Sequence, residues 1–416
     1  MKKKVILRAP LLTQSGYGVH SRQIFRWLES NIEKFETFVN VVPWGNTTWF
    51  IDPDRLNGLI GRIMNKSGNY PSSFDISIQV QLPNEWDSNL ARFNVGVTAA
   101  VETDKANPAW AYNVKSMDLV IVPSEHAKLS LTNSGCSEAK IKVVPEAFID
   151  EILNEEKNDL NLEFETNFNF LIFGQFTGNN EENDRKNTYN TLKWICESFK
   201  NDKDVGIVIK TNFSRNCQFD RNITKDILKN TLSKFRDERK LPPVYFIHGE
   251  MSDKEIASLY VHPKIKALVS LTRGEGFGLP TLEAAASGLP VIATNWSGHL
   301  DFMNKGKFLG VDYSLKEISS SRVDKRICPS CNGSGKNGHI QICSICGGTG
   351  HTQIFMEGSK WAEPKEISAK KILKKFREMP NAPKEWAVEL STIIRKEYSQ
   401  DAIEKHYDRV FSDIVV

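Results

Sequence analysis

Eleven short apolar runs, each set off by turn residues and followed by an amphipathic or polar stretch, recur along this 416-residue chain. The first six are VILRAPL (5–11), FVNVVPW (38–44), ISIQVQL (76–82), VGVTAAV (95–101), LVIVPS (119–124) and KIKVVPEA (140–147). The other five are FLIFGQF (170–176), VGIVIKT (205–211), VYFIHG (244–249), ALVSLT (267–272) and PVIATN (290–295). A strand that is apolar on both faces must be covered on both faces, and parallel neighbours need a crossover long enough for a helix. The pattern therefore predicts an α/β protein with buried parallel sheets. A polar, acidic stretch at 150–169, DEILNEEKNDLNLEFETNFN, divides the runs into two series. The chain also exceeds the size at which one core keeps growing. Two doubly wound, Rossmann-like halves are expected, residues 1–150 and 165–394, binding ligand at the carboxyl ends of their strands. The amphipathic end of the chain, about 395–416, is expected to pack back on the first half.

An apolar content of 40% with 25% charged residues excludes a disordered chain. No run approaches the roughly 18 to 20 apolar residues that span a bilayer, so no transmembrane segment is expected. In MKKKVILRAPLL, Arg8 and Pro10 interrupt the apolar stretch and no cleavage site follows, which suits a first strand better than a signal peptide. Four of the seven cysteines lie in one motif, while Cys136, Cys196 and Cys217 are scattered, as in a reducing compartment. The cytoplasm is the expected location, that of the host for a phage-encoded chain. Net charge is +3, yet residues 304–377 hold 14 Lys and Arg against 6 Asp and Glu. That +8 segment is either a solvated surface or a footprint for an anionic partner.

The densest chemistry lies in TRGEGFGLPTLEAAASGLPVIATNWSGHLDF (272–302). A strand runs into a turn holding Gly274, Gly276 and Gly278, and Pro280 falls in the first turn of a helix. Glycines leave backbone N–H groups uncovered, and the helix presents its positive end behind them. Such a turn can hold a phosphate or diphosphate. Glu275 and Glu283 would repel phosphate and are suited to accepting hydrogen bonds from hydroxyls, as on a sugar and a ribose joined through one diphosphate. The plain alternative is an ordinary glycine-rich strand-to-helix turn.

GEGFGLPTLEAAASGLPVIAT resembles the E-x7-E signature of the family-4 glycosyltransferases, retaining enzymes of the GT-B fold. SGYG after the first run, VPSEHAKLSLTNSG with KIKVVPEAF, and FGQF with DRKN fall in the family's order, so the resemblance spans most of the chain outside about 311–355. It implies that Glu275 contacts the transferred sugar and Glu283 the ribose, with the amides of Gly276, Phe277, Gly278 and Leu279 on donor hydroxyls and diphosphate oxygens. Lys186, with Arg185 beside it, would neutralise the leaving diphosphate. Relatives often place an arginine where this chain has Gln175, so Lys210, or else Arg273, is expected to supply that charge. Gly16 and Gly18 match the loop by which the first domain approaches the donor. No first-domain histidine equivalent stands out. Glu102, with Thr103 and Asp104, is the candidate to contact sugar or acceptor, and Glu102 to act as base. The resemblance implies a nucleotide-sugar donor, hexosyl or pentosyl, and no catalytic metal.

Cys328, Cys331, Cys343 and Cys346 follow C-x2-C-x11-C-x2-C, and four thiolates at this spacing suit a structural, tetrahedral Zn²⁺ with no open position for catalysis. The repeated CxxCxGxG resembles half of the zinc domain of DnaJ-class chaperones. An insertion at 322–354 within the second domain is expected, either a metal-stapled loop or an acceptor-binding element. Arg322, Lys325, Arg326, Lys336 and His339 would make it basic, and duplex DNA bearing a hydroxymethylated base, as in phage, would suit it as acceptor. An envelope polysaccharide or lipid-linked glycan is the alternative acceptor. A non-catalytic module binding nucleic acid or protein on a transferase scaffold is the alternative of another class.

Overall fold

The structure, a computed structural model, describes residues 2–156, 160–176, 180–235, 240–319 and 327–415, apart from 329, 338–340, 344–345, 347, 349 and 351–352. By contact it divides into two units. The first comprises Met1–Ala147, Ser320–Lys360 and Asp401–Val416, the second Phe148–Ser319 and Trp361–Gln400.

In the first unit, β1 (Lys3–Ala9), α1 (Gly16–Ser30), β2 (Phe35–Val41), α2 (Leu59–Asn65), β3 (Ile76–Val80), β4 (Phe93–Val97), α3 (Trp110–Ser116), β5 (Leu119–Val122), α4 (Glu125–Thr132) and β6 (Ile141–Val143) build one sheet with its crossovers. The strand order is β2-β1-β3-β4-β5-β6, with all pairs parallel. The runs read as strands are strands because both faces are covered: β3 and β5 are buried at every position.

The second unit contains β7 (Phe168–Phe173), α5 (Thr188–Ser198), β8 (Val205–Thr211), α6 (Gln218–Ser233), β9 (Val244–His248), α7 (Asp253–Tyr260), β10 (Ile265–Ser270), α8 (Leu279–Ala286), β11 (Val291–Thr294), α9 (Leu300–Met303), β12 (Leu309–Val311), α10 (Glu366–Glu378) and α11 (Asn381–Glu397). Its order is β12-β11-β10-β7-β8-β9, again parallel. Phe170, Ile172, Ile207, Ile209, Val269 and Ile292 form the middle of its core. The direction of winding reverses between β7 and β10, and in such sheets the crevice outside the carboxyl ends at that point receives the ligand. The acidic stretch at 150–169 is more than a connection, because Phe164 is buried against the rings of Tyr245 and His262.

Beyond β12 the chain forms β13 (Tyr313–Glu317), then the two-residue strands β14 (Lys336–Asn337) and β15 (Gln341–Ile342) of the cysteine segment, then β16 (Lys360–Pro364), which pairs with β13. Sequence order suggests an insertion belonging to the second domain. By contact, Ser320–Lys360 belongs instead to the first unit. A segment whose buried cluster is four cysteines has little surface of its own to pack, and Asp104 and Asn107 hold its backbone. Asp104 N donates to Lys360 O at 2.8 Å, Lys360 N to Asp104 Oδ1 at 2.6 Å, and Asn107 Nδ2 to Gln353 O at 2.8 Å.

The last helix, α12 (Gln400–Val415), packs on α1. Trp27 lies against Tyr407 and Phe411 at ring separations of 5.2 and 4.8 Å, and its indole N–H donates to Asp408 at 2.9 Å. His20 Nε2 meets the Tyr407 hydroxyl at 3.0 Å, and burial pulls the imidazole down to about 4.

Candidate functional site

The turn after β10 is fixed from both sides. Arg273 N donates to Arg185 O at 2.8 Å and Asn187 Nδ2 to Leu271 O at 3.0 Å, binding the turn to the DRKN segment ahead of α5. The Asp184 carboxylate receives Thr188 N at 2.7 Å and so satisfies the first amide of α5. On the other side, Glu275 N donates to Ser297 Oγ and Gly298 N to Glu275 O, both at 3.0 Å. Gly278, at φ +103°, caps α8 in the left-handed region, where a side chain would be strained, and Pro280 sits in the first turn. Phe277 is buried on Phe302 at 5.3 Å, so its ring anchors the turn and its role toward a ligand is confined to the backbone. With Gly276, Gly278 and Leu279 it forms the entry to α8, where Pro280 has no N–H and the amides of Thr281 and Leu282 turn back to Gly278 O at 3.0 and 3.1 Å.

Two cations converge on Glu275. Lys186 Nζ lies 2.7 Å from Oε1 and Arg185 Nη1 3.3 Å from Oε2, while Arg185 Nη1 also donates to Gly274 O at 2.7 Å. Burial alone would raise this carboxyl, but Lys186 and then Arg185 override it and hold Glu275 at about 2. Glu283 lies in the opposite environment. Burial pushes it up to about 8, although Tyr260 Oη donates to Oε2 at 2.9 Å. The turn thus keeps one carboxylate charged and one carboxyl neutral at the carboxyl end of one sheet.

A stability consequence follows for Glu283. Its folded pKa of about 8 lies above the unfolded value, so the native state keeps a proton that the unfolded chain has released between about pH 4.5 and 8. Stability contributed by this group is complete below that window and is lost as pH rises through it. The melting temperature of the ligand-free protein is expected to fall relative to Glu283→Gln from pH 5 to 8 and then level off, as followed by scanning calorimetry.

Two of the expected cations are engaged elsewhere. Arg273 is 2% exposed; Nε and Nη2 take the two oxygens of Glu363 at 2.8 and 2.9 Å, and Nη1 donates to Glu181 O and Asp184 O. With four of its five donors so used, it clamps the DRKN turn and does not serve a diphosphate. Lys210 lies one residue before the end of β8, its carbonyl accepting Gly174 N, but its ammonium is buried on Gly249 O at 2.6 Å and Asn212 Oδ1 at 2.7 Å, and burial pulls it down to about 8. It is not the exposed replacement that the exposed Gln175 calls for.

The first unit holds the other expected residues. Ser15 caps α1 by accepting Gly18 N at 3.0 Å, and a methyl on Gly18 would lie 2.1 Å from Thr13 O, so Gly18 is demanded by packing. Gly16 is exposed, with open space where its side chain would be. Between them the Tyr17 ring stacks on Trp44 at 3.7 Å, and its hydroxyl bonds Thr98 Oγ1 and accepts Ala99 N, each at 3.0 Å. Burial raises the Tyr17 phenol, as does the charge of half-buried Glu102 nearby. Thr103 is buried, its hydroxyl donating to Lys105 O, and Asp104 is taken up by Lys360, so neither is placed for an acceptor.

The four cysteines match a tetrahedral metal. Their sulfurs all lie within 4.8 Å of one another, with Cys328 to Cys343 at 3.9 Å and Cys331 to Cys346 at 3.6 Å. Zn–S bonds of about 2.3 Å arranged tetrahedrally place sulfurs about 3.8 Å apart. The two knuckles repeat one another: Gly335 N donates to Cys331 Sγ and Gly350 N to Cys346 Sγ, both at 3.3 Å. Lys336 is exposed; Arg322, Lys325, Arg326 and His339 lie outside the described residues. Freshly reduced protein is expected to carry about one equivalent of zinc by atomic emission, and Cys331→Ser to lose it, since each thiolate contributes to a site whose binding energy is folding energy.

Ser297, Gly298, His299 and Tyr260 complete the site without having been singled out by sequence. The first three fall inside the conspicuous segment, but their backbone-directed role has no composition signal.

Residues 228–321 match the family described as glycosyl transferases group 1. No curated protein matches the chain. Among solved structures, HepE of Anabaena in complex with UDP and glucose is similar at TM-score 0.57 and 13% identity over 99% of both chains. A glycosyltransferase of Rickettsia africae is similar at 0.58 and 13%, over 100% of this chain and 99% of that one. The sucrose-phosphate synthase of Thermosynechococcus elongatus is similar at 0.56 and 12%, over 99% of both.

The fold is GT-B. Within this GT-B chain the matched residues include β9, β10, β11, the Glu275 turn and α8, and so both carboxyl groups of the site, while Arg185 and Lys186 precede them. No helix among the described residues is long and apolar enough to cross a membrane.

Proposed function

We propose that this GT-B protein is a retaining glycosyltransferase of the family-4 type that moves a sugar, most simply a hexose, from a UDP-linked donor to an acceptor hydroxyl. One observation carries this: a carboxylate held charged by two cations, on a glycine turn that opens a helix at the reversal point of a parallel sheet. In this reading Glu275 receives hydroxyls of the transferred sugar. The acceptor oxygen bonds to the anomeric carbon as the bond from that carbon to the diphosphate oxygen breaks, and Lys186, Arg185 and the turn amides of residues 276–279 take up the charge that develops on the leaving group. Glu283, held by Tyr260, takes the ribose hydroxyls. Glu102 on the first unit is the proposed base toward the acceptor. HepE, solved with UDP and with UDP-glucose, supports a uridine donor.

The four cysteines are proposed to hold a structural zinc. For the acceptor we propose a hydroxymethylated base in duplex DNA, on the charge of the 304–377 segment. The experiment offers radiolabelled UDP-, GDP- and ADP-linked sugars with duplex DNA containing cytosine or 5-hydroxymethylcytosine, and with an oligosaccharide. Label from a UDP-hexose in the hydroxymethylated duplex alone is expected. Label only in the oligosaccharide overturns the acceptor, and no sugar released from any donor overturns the enzyme.

A further inference from the structure

His299 is 1% exposed, and its ring is committed on one side only. Nε2 lies 2.7 Å from Thr294 O, and a carbonyl can only accept, so Nε2 carries the proton. Burial holds the imidazole below its ordinary pKa, with Lys186 acting in the same direction, and a neutral ring leaves Nδ1 as a lone pair. That atom is buried and has no hydrogen-bond partner. Buried polar atoms are rarely left bare, and one in a binding turn calls for a missing donor.

The position of the ring identifies where the donor comes from. His299 Cβ lies 3.1 Å from where a methyl on Gly278 would stand, against the N-cap of α8. The residue before it, Gly298, is pressed on the carbonyl of Gly276 and bonds Glu275 O. His299 therefore sits against the same turn that carries Glu275 and opens α8. A diphosphate offers no hydrogen to a lone pair at neutral pH, and a ribose on Glu283 is already provided for. Among the groups of a nucleotide-sugar, a sugar hydroxyl is the donor that remains.

We propose that His299 is a positioning residue whose Nδ1 accepts a hydrogen bond from a hydroxyl of the transferred sugar, fixing the ring against Glu275. The inference rests on the transferase function proposed above. It predicts which part of the donor loses affinity when the acceptor atom is deleted: the sugar, and not the nucleotide.

The test measures UDP and UDP-glucose affinity by titration calorimetry for the wild type, His299→Gln and His299→Asn. Gln can keep an N–H on the Thr294 carbonyl while removing the acceptor at Nδ1, whereas Asn places a carbonyl oxygen near Nδ1 and gives up the Thr294 contact. The expected result is UDP affinity within about twofold in all three, with the gain from the glucosyl group reduced about tenfold in His299→Gln and restored in His299→Asn. A full gain in His299→Gln, or equal losses for UDP and UDP-glucose, overturns the proposal, as does a wild type that binds UDP and gains nothing from the sugar. A wild type that binds neither compound overturns the function itself.

Discussion

Glu275→Gln is expected to lower kcat for sugar transfer by about 10² to 10³ while leaving UDP affinity unchanged or tighter, the size of effect seen when one positioned electrostatic group is removed. The direction follows from the charges around the carboxylate. Glu275 neutralises Lys186 at 2.7 Å and Arg185 at 3.3 Å. Without its charge both cations become more available to a diphosphate, so the nucleotide is held at least as well. What is lost is a charged acceptor for the sugar hydroxyls near the reacting carbon, and an interaction strengthened in the transition state appears in kcat rather than in ground-state binding. Steady-state rates with calorimetric UDP affinities check this. A carboxylate serving only to hold the turn would give a different pattern, with rate and UDP affinity falling together. The variant should also melt lower, because two largely buried cations lose their partner, although their remaining exposure of 14% and 20% lets water offset part of that loss.

What the sequence revealed depends on how far apart the interacting groups lie along the chain. Strands covered on both faces announce themselves as apolar runs, so eleven of the twelve strands in the two large parallel sheets were legible. The exception is β12, three residues whose sequence LGV makes no run and which is a strand only because β11 is there to pair with. Glu275 and Glu283 stand out as candidates because one local motif carries both. Arg273 was misassigned for the opposite reason. It stands beside Gly274 in that motif, yet its partners Glu363 and Asp184 are about ninety residues away in either direction, and only the fold shows that its donors are consumed. The cysteine segment shows the same limit: its metal chemistry is written in four residues, while its attachment to the first unit runs through Asp104 and Asn107, far earlier in the chain. His299 was invisible as a site residue because what marks it is an unsatisfied atom, a property of the packed state alone.

Gly298→Ala should have an effect of comparable size from a residue that brings no chemistry. A methyl there would lie 2.2 Å from the carbonyl oxygen of Gly276, 2.6 Å from its carbonyl carbon and 2.9 Å from Glu275 O. All three are backbone atoms, so no side-chain rotation relieves the overlap, and the shortfall from van der Waals contact is about 1 Å. The turn must move by about that much, and as it moves it loses the bond from Gly298 N to Glu275 O and strains the one from Glu275 N to Ser297 Oγ. A 1 Å misplacement of a reacting group costs about 10²-fold in rate, so kcat/KM is expected to fall by about that factor. Overpacking of this kind costs about 1 to 3 kcal/mol, which lowers Tm by several degrees in a unit of this size. Gly310→Ala separates the two effects, because the nearest atom to its methyl, on Phe308, is 3.5 Å away, an ordinary contact. If Gly298→Ala loses stability but keeps its rate, the Glu275 turn tolerates displacement and its geometry is not what sets catalysis. If it loses rate out of proportion to Tm while Gly310→Ala loses neither, the backbone of 297–298 holds Glu275 where the sugar needs it, and a glycine with no side chain is as necessary to the reaction as the carboxylate it supports.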